Sequence, residues 1–156
     1  MKLTIAALGR IKSGPEREMI DEYLDRASAT GRPAGLGPLA ETQIDNRALK
    51  SKTDESRALA QSLPDGARLI LLDERGKTLP ARKLAQTLAN WRDEGVREAV
   101  FCIGGADGHD HESLPRADLM LAFGNTVWPH KLVRIMLAEQ LYRAVSILAG
   151  SPYHRD

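Results

Sequence analysis

A single cysteine, Cys102, stands in the whole chain, so no internal disulfide framework can form and a reducing compartment is expected. Aromatic residues are scarce as well, at 4%, with two Trp and three Tyr. Charge of one sign is missing: 22 Lys and Arg face 21 Asp and Glu, for a formal charge of +1 and a pI of about 7.9. Bulk charge therefore does not mark a nucleic-acid binder, and any RNA contact has to come from a local patch. No apolar run is long enough to cross a bilayer, and the short one after Met1 is followed by Arg10 and Lys12, unlike a secretory leader. Internal repeats, heptad seams and low-complexity tracts are absent too. At 156 residues the expectation is one cytoplasmic domain with a core of ordinary size.

What is present alternates between strand and helix patterns. Lys2 to Leu8 reads as a buried first strand ending at Gly9, and Gly14 to Thr30 as an amphipathic helix with Met19, Ile20, Tyr23, Leu24 and Ala27 at helical spacing. A Gly/Pro-rich loop, residues 31–38, leads to a weak or edge strand, Leu39 to Ile44. Asp45 is expected to cap a second helix carrying Leu49, Leu59, Ala60 and Leu63. Arg68 to Leu72 is a third strand, Asp73 to Lys77 a polar loop, and Thr78 the cap of a helix through Glu94 with Leu84, Leu88 and Trp91 inward. Ala99 to Ile103 and Asp118 to Phe123 complete five strands. Strand-helix-strand order implies right-handed crossovers, hence an α/β domain with a mostly parallel sheet flanked by helices.

The last third is the most distinctive. A loop from Gly124 to His130 precedes a helix from Lys131 to Ala149, stopped by Gly150 and Pro152. Apolar side chains sit nearly all round this helix, which must therefore be covered on more than one side, and a second copy of the chain is the simplest cover. Glu139 and Arg143, four residues apart, form either an ion pair on a partly exposed stripe or the wall of a pocket shared with the tail. The tail Pro152-Tyr153-His154-Arg155 offers a ring to stack on a base, an imidazole titrating near neutrality and a guanidinium. With His130, Lys131, Arg134 and Arg143 it makes this third locally positive.

In open parallel sheets ligands bind beyond the carboxyl ends of the strands. Three loops leave such ends here: Asp73 to Lys77, Gly104 to Gly108, and Gly124 to His130. The paired Gly104 and Gly105 suit either a tight turn or a backbone approach to a ligand. Their spacing is wrong for a dinucleotide fingerprint, which disfavours a nicotinamide-dependent oxidoreductase. Asp107, His109, Asp110, His111 and Glu112 crowd together, but no Cys pair or helical His pair accompanies them, so no metal is expected. Cys102 reads as a core residue within its strand.

Five motifs in order, Leu71-Leu-Asp-Glu-Arg-Gly-Lys77, Ile103-Gly-Gly-Ala-Asp-Gly-His109, Trp128-Pro-His130, Ala138-Glu-Gln-Leu-Tyr-Arg-Ala144 and Pro152-Tyr-His-Arg155, resemble the 23S rRNA pseudouridine-N3 methyltransferases of the SPOUT (α/β-knot) superfamily. The likeness covers almost the full chain. It is weakest over residues 32–50, and the segment Gly124-Asn-Thr-Val-Trp128 departs from the Ser/Leu-rich loop of many relatives. The resemblance implies a C-terminal trefoil knot, a homodimer packed through the knot region, and S-adenosyl-L-methionine as cofactor. It implies that Leu72, Gly104, Gly105 and the loop Gly124, Asn125, Thr126, Val127, Trp128, Pro129 hold the methyl donor. It implies a pseudouridine in helix 69 of 23S rRNA as target, within the large subunit or assembled ribosome, with no membrane and no DNA partner.

The tail of one subunit would complete the donor pocket of the other. In that setting His154 or a nearby water takes the N3 proton, Arg155 or Arg143 stabilises charge on the adjoining oxygens, Glu139 orients Arg143, and Tyr153 borders the base. A catalytically silent RNA- or ribosome-binding factor on the same scaffold is the alternative.

Overall fold

In the computed structural model, which describes residues 1–154, the elements run β1 Lys2–Leu8, α1 Pro15–Gly31, a 3-10 turn Arg32–Ala34, β2 Leu39–Ile44, α2 Lys52–Gln61, β3 Arg68–Lys77, α3 Ala81–Asp93, β4 Glu98–Ile103, β5 Leu119–Leu121 and α4 His130–Leu148. The five strands form one sheet in the order β2-β1-β4-β3-β5, with every pairing parallel. β1 is an interior strand, buried from Leu3 to Leu8, and its two-residue alternation feeds two cores. Leu3, Ile5 and Ala7 face a layer with Ile20, Leu88, Leu137 and Leu141, from α1, α3 and α4. Ala6 and Leu8 face the opposite layer, where Leu59 of α2 meets Val100 and Cys102. Full burial of a Leu such as Leu137 or Leu141 contributes about 1.5–3 kcal/mol, so α4 is anchored mainly by this inner face.

Four boundaries differ from the sequence expectation. Ser51, not Asp45, caps α2, its hydroxyl accepting from the Asp54 amide at 3.1 Å, while Asp45 is engaged by Arg10 and Arg47. The strand β3 continues through Asp73 to Lys77 rather than ending in a loop, although its register on β5 breaks between Leu72 and Lys77, and Leu121 pairs with both. Thr78 does not cap α3; Pro80 stands there, with no side-chain hydrogen bond. Finally, β5 is only three residues long. The break in β3 lets Gly76 pass so close to β5 that an added Cβ would lie 2.7 Å from backbone atoms of Leu121.

Arg134, on the first turns of α4, is only 1% exposed. It donates to the carbonyls of Leu8, at 2.5 Å, and Gly9, at 2.7 Å, and to Glu41 of β2 at 3.0 Å. β1 leaves through α1 on one face of the sheet and β4 through a loop on the other, so the C-terminal ends of β1 and β4 flank a topological switch point. A protein side chain fills that crevice, and the free cavity lies one strand further along. No helix among the described residues is long and apolar enough to cross a membrane.

Candidate active site

A cavity of about 710 Å³ opens beyond the carboxyl ends of β3, β4 and β5, between the three loops singled out in the sequence. Leu72, Gly104, Gly105, Gly124, Thr126, Val127, Trp128 and Pro129 all line it; Asn125 is exposed and does not. The Trp128 indole donates to the Phe123 carbonyl at 2.9 Å, closing the loop over the cavity while the ring stays 42% exposed. Glu55 of α2 backs the second loop so closely that a Cβ on Gly105 would lie 2.9 Å from its carboxylate carbon.

Two histidines that sequence reasoning did not assign to the cavity also line it. His109 is buried and its Nε2 meets the Leu72 carbonyl at 3.1 Å, so this nitrogen carries the proton and ties the β4 loop to the end of β3. Burial holds its pKa down, and its Nδ1 has no hydrogen-bond partner. His130 is pushed down to about 4 by burial, with Arg134 adding to the effect against a contact with the Gly104 backbone. It is therefore neutral at pH 7, and its Nε2 is buried without a partner. The signal available in the sequence was position alone: each histidine follows a strand-end glycine loop.

At the cavity mouth Asp73 is gripped by Arg75 through Nε and Nη2, each at 3.0 Å, and approached by His111 Nε2 at 3.1 Å. The Arg75 contacts hold its carboxyl well below the usual carboxylate range. Among the described residues no group of three or more His, Cys, Asp or Glu is arranged to hold a metal.

The residues expected to be catalytic assemble elsewhere. The Tyr153 hydroxyl donates to Glu139 Oε1 at 3.0 Å, and Arg143 binds the same oxygen. The Tyr153 ring lies 4.3 Å from that of Tyr142 and 5.0 Å from the Arg143 guanidinium carbon, centroid to centroid and carbon to centroid. His154 is half-buried beside this cluster in sequence, and Arg155 lies outside the described residues. Among the described residues of this group, Glu139, Arg143, Tyr153 and His154, none lines the cavity of its own chain. Arg143 is 13 positions beyond His130 on one helix, which places it about 20 Å along the axis.

Among the described residues the positive charge expected of the last third is mostly engaged: Arg134 is buried on Glu41 and two carbonyls, Arg143 is paired with Glu139, and His130 is neutral, whereas Lys131, 3.5 Å from Glu16, keeps 59% of its side chain exposed.

The cavity suits a mid-sized, partly apolar ligand. Leu72, Ile103, Leu121 and Val133 supply apolar wall, and glycines leave backbone groups approachable. That lining fits a ligand that combines a flat ring with groups able to hydrogen-bond to backbone, as S-adenosyl-L-methionine does.

The family described as "Predicted SPOUT methyltransferase" matches residues 1–154. The chain is 71% identical over 156 residues to the ribosomal RNA large subunit methyltransferase H of Maricaulis maris, covering 100% of both chains. It is 52% identical to the protein of the same name from Cereibacter sphaeroides strain ATCC 17025 and 49% identical to that of Dinoroseobacter shibae, in each case over 99% of both chains.

Proposed function

Because the chain belongs to the SPOUT methyltransferase family, we propose that it transfers the methyl group of S-adenosyl-L-methionine to N3 of a pseudouridine in helix 69 of 23S rRNA, within the large subunit or assembled ribosome. The observation that carries this reading is the glycine-walled cavity at the ends of β3, β4 and β5, held by two neutral histidines. Leu72, Gly104, Gly105 and the loop from Gly124 to Pro129 would hold the donor. When bound, S-adenosyl-L-methionine supplies a methyl carbon already activated by its sulfonium.

The protein's share is placement and proton removal. N3 lies between two carbonyls and bears a proton, so it is a weak nucleophile until that proton leaves. His154 or a water beside it would accept the proton, leaving the N3 electron pair free to take the methyl group that the donor would supply as its thioether departs. Arg143 or Arg155 offsets the charge spread onto the base oxygens, and Tyr153 borders the ring. The hydrogen bonds from Tyr153 and Arg143 to Glu139 support the orienting role given to that carboxylate.

The tail cluster and the cavity of one chain are separated by most of α4. That separation supports a homodimer in which one tail closes the partner's cavity. Val127, Trp128 and Leu132, three large apolar side chains exposed around the start of α4, together with half-buried Val133, Ile135 and Met136, supply surface for that contact.

The direct test is methyl transfer from labelled S-adenosyl-L-methionine to ribosomes lacking the modification, followed by mass spectrometry of the helix 69 fragment. A mass gain of one methyl on the pseudouridine supports the reading. Donor binding without transfer to any rRNA position would leave a silent ribosome-binding factor instead.

A further inference from the structure

A second concavity lies on the same edge of the sheet as the cavity, on the other side of the first turn of α4. It measures about 500 Å³ and is walled by the β1–α1 loop and the β2–α2 loop. Arg10, Lys12, Arg47 and Lys131 line it against a single carboxylate, Asp45. In a chain whose formal charge is only +1, that is a marked local concentration of cations. Arg10 and Arg47 share Asp45, at 3.7 and 2.5 Å, and Lys131 is 3.5 Å from Glu16, so the cations outnumber the acids that face them. Lys12 and Arg47 are exposed, the latter with 81% of its side chain open.

Both walls are fixed. Gln43 of β2 accepts from the Ile11 amide at 2.7 Å, which pins the β1–α1 loop, and Asn46 donates to Glu55 at 3.1 Å, which pins the β2–α2 loop. Glu55 is the same side chain that backs Gly105, so one contact chain runs from the cleft wall to the cavity wall. Consecutive residues of α4 serve the two hollows: His130 lines the cavity and Lys131 the cleft.

We propose that this cleft is the seat of the substrate's phosphate backbone, where Arg10, Lys12, Arg47 and Lys131 hold the rRNA strand that leads to the base in the cavity. The inference rests on rRNA being the substrate. It goes further in assigning sequence-independent affinity to a rigid surface outside the donor cavity and the tail. Exposed Lys and Arg in a preformed groove recognise phosphate oxygens without reading bases, as a segment beside a modified nucleotide requires.

The test uses the double charge reversal Lys12→Glu with Arg47→Glu, two exposed positions, against Arg57→Glu with Lys83→Glu, an equal charge change on exposed residues of α2 and α3. Binding of each protein to ribosomes is measured over a range of salt, with calorimetry of S-adenosyl-L-methionine binding and thermal melting alongside. The cleft variant should bind ribosomes at least about tenfold more weakly near physiological salt, and the slope of log affinity on log salt should flatten by roughly 1.5, for two lost phosphate contacts. Donor affinity and melting should match wild type. Unchanged affinity and slope, an equal loss in the control variant, or wild type that does not bind ribosomes would each overturn the assignment. The reaction itself is judged separately, by wild-type methyl transfer: wild type that binds through the cleft yet methylates nothing would sink the proposed reaction and leave the cleft standing.

Discussion

The Tyr153 phenol donates to Glu139 Oε1 at 3.0 Å, joining the C-terminal segment to α4, and Arg143 takes hold of that same oxygen one helical turn away. Burial, then the Glu139 contact, raises the Tyr153 pKa, so the phenol stays protonated and its hydrogen bond persists at any physiological pH. The carboxylate thus fixes two groups that the proposed reaction needs near the base.

Glu139→Ala releases both partners. The expected outcome is a fall in kcat of about 10²-fold, the low end of what a positioned charge contributes, with the S-adenosyl-L-methionine affinity unchanged. Glu139→Gln keeps an acceptor for Tyr153 but not the charge facing Arg143, and should fall between. Single-turnover methylation at saturating ribosomes checks this; full activity in the Ala variant would remove Glu139 from the mechanism.

Arg134 adds a polar lock between α4 and the sheet to the apolar packing of the helix's inner face. Arg134→Met leaves the Leu8 and Gly9 carbonyls without their donor and Glu41 with Arg17 alone, and should destabilise the protein by about 3 kcal/mol in urea unfolding. Arg134→Lys should not restore it, because one ammonium cannot span the acceptors that a planar guanidinium reaches. A loss below about 1 kcal/mol would show that the buried guanidinium adds little to the hold on α4.

Gly76→Ala drives a Cβ into the backbone of Met120 and Leu121, atoms that cannot swing away as a side-chain tip can. A destabilisation of about 1–3 kcal/mol is expected, with weaker donor binding because Leu121 and Ala122 line the cavity. Equal stability and equal calorimetric affinity would contradict the close passage of β3 along β5.

His130 titrates at about 4 in the folded protein, below the ordinary histidine value near 6.5. Between those values the unfolded chain binds more protons, so folding stability falls as pH drops from about 6.5 toward 4 and is fully present above that window. His130→Gln should have a shallower fall than wild type over pH 6.5 to 5, before carboxylates dominate. Parallel curves would mean that His130 is not held neutral.

Much of this was legible without coordinates. The ends of β1, the run of five strands and the three strand-end loops around the cavity followed from apolar alternation and glycine placement. The residues given to the donor followed from family resemblance, and all but Asn125 line the cavity. What failed did so for identifiable reasons. Asp45 carries the mark of a helix cap, yet its carboxylate is also suited to a turn, and it accepts from the Arg47 amide at 3.1 Å; local chemistry alone does not choose between them. Asp73 to Lys77 stays in the strand although its register on β5 breaks after Leu72, so its polarity did not mark a loop. Arg134 reads as one more positive charge until the carbonyls of Leu8 and Gly9, some 125 residues away, are brought to it. Protonation of His130 depends likewise on burial that periodicity does not reveal.

The separation of tail and cavity along α4 leads to a mixed-dimer experiment. One chain carries Tyr153→Ala with His154→Ala, the other Gly105→Leu, which fills the donor cavity; each alone should be inactive while still dimerising. Co-expressed and purified as heterodimers, they contain one intact cavity facing one intact tail if the site is built from two chains, and methyl transfer should return to about half the wild-type rate per dimer. Heterodimers as inactive as either parent would place each tail over its own cavity and contradict the shared site.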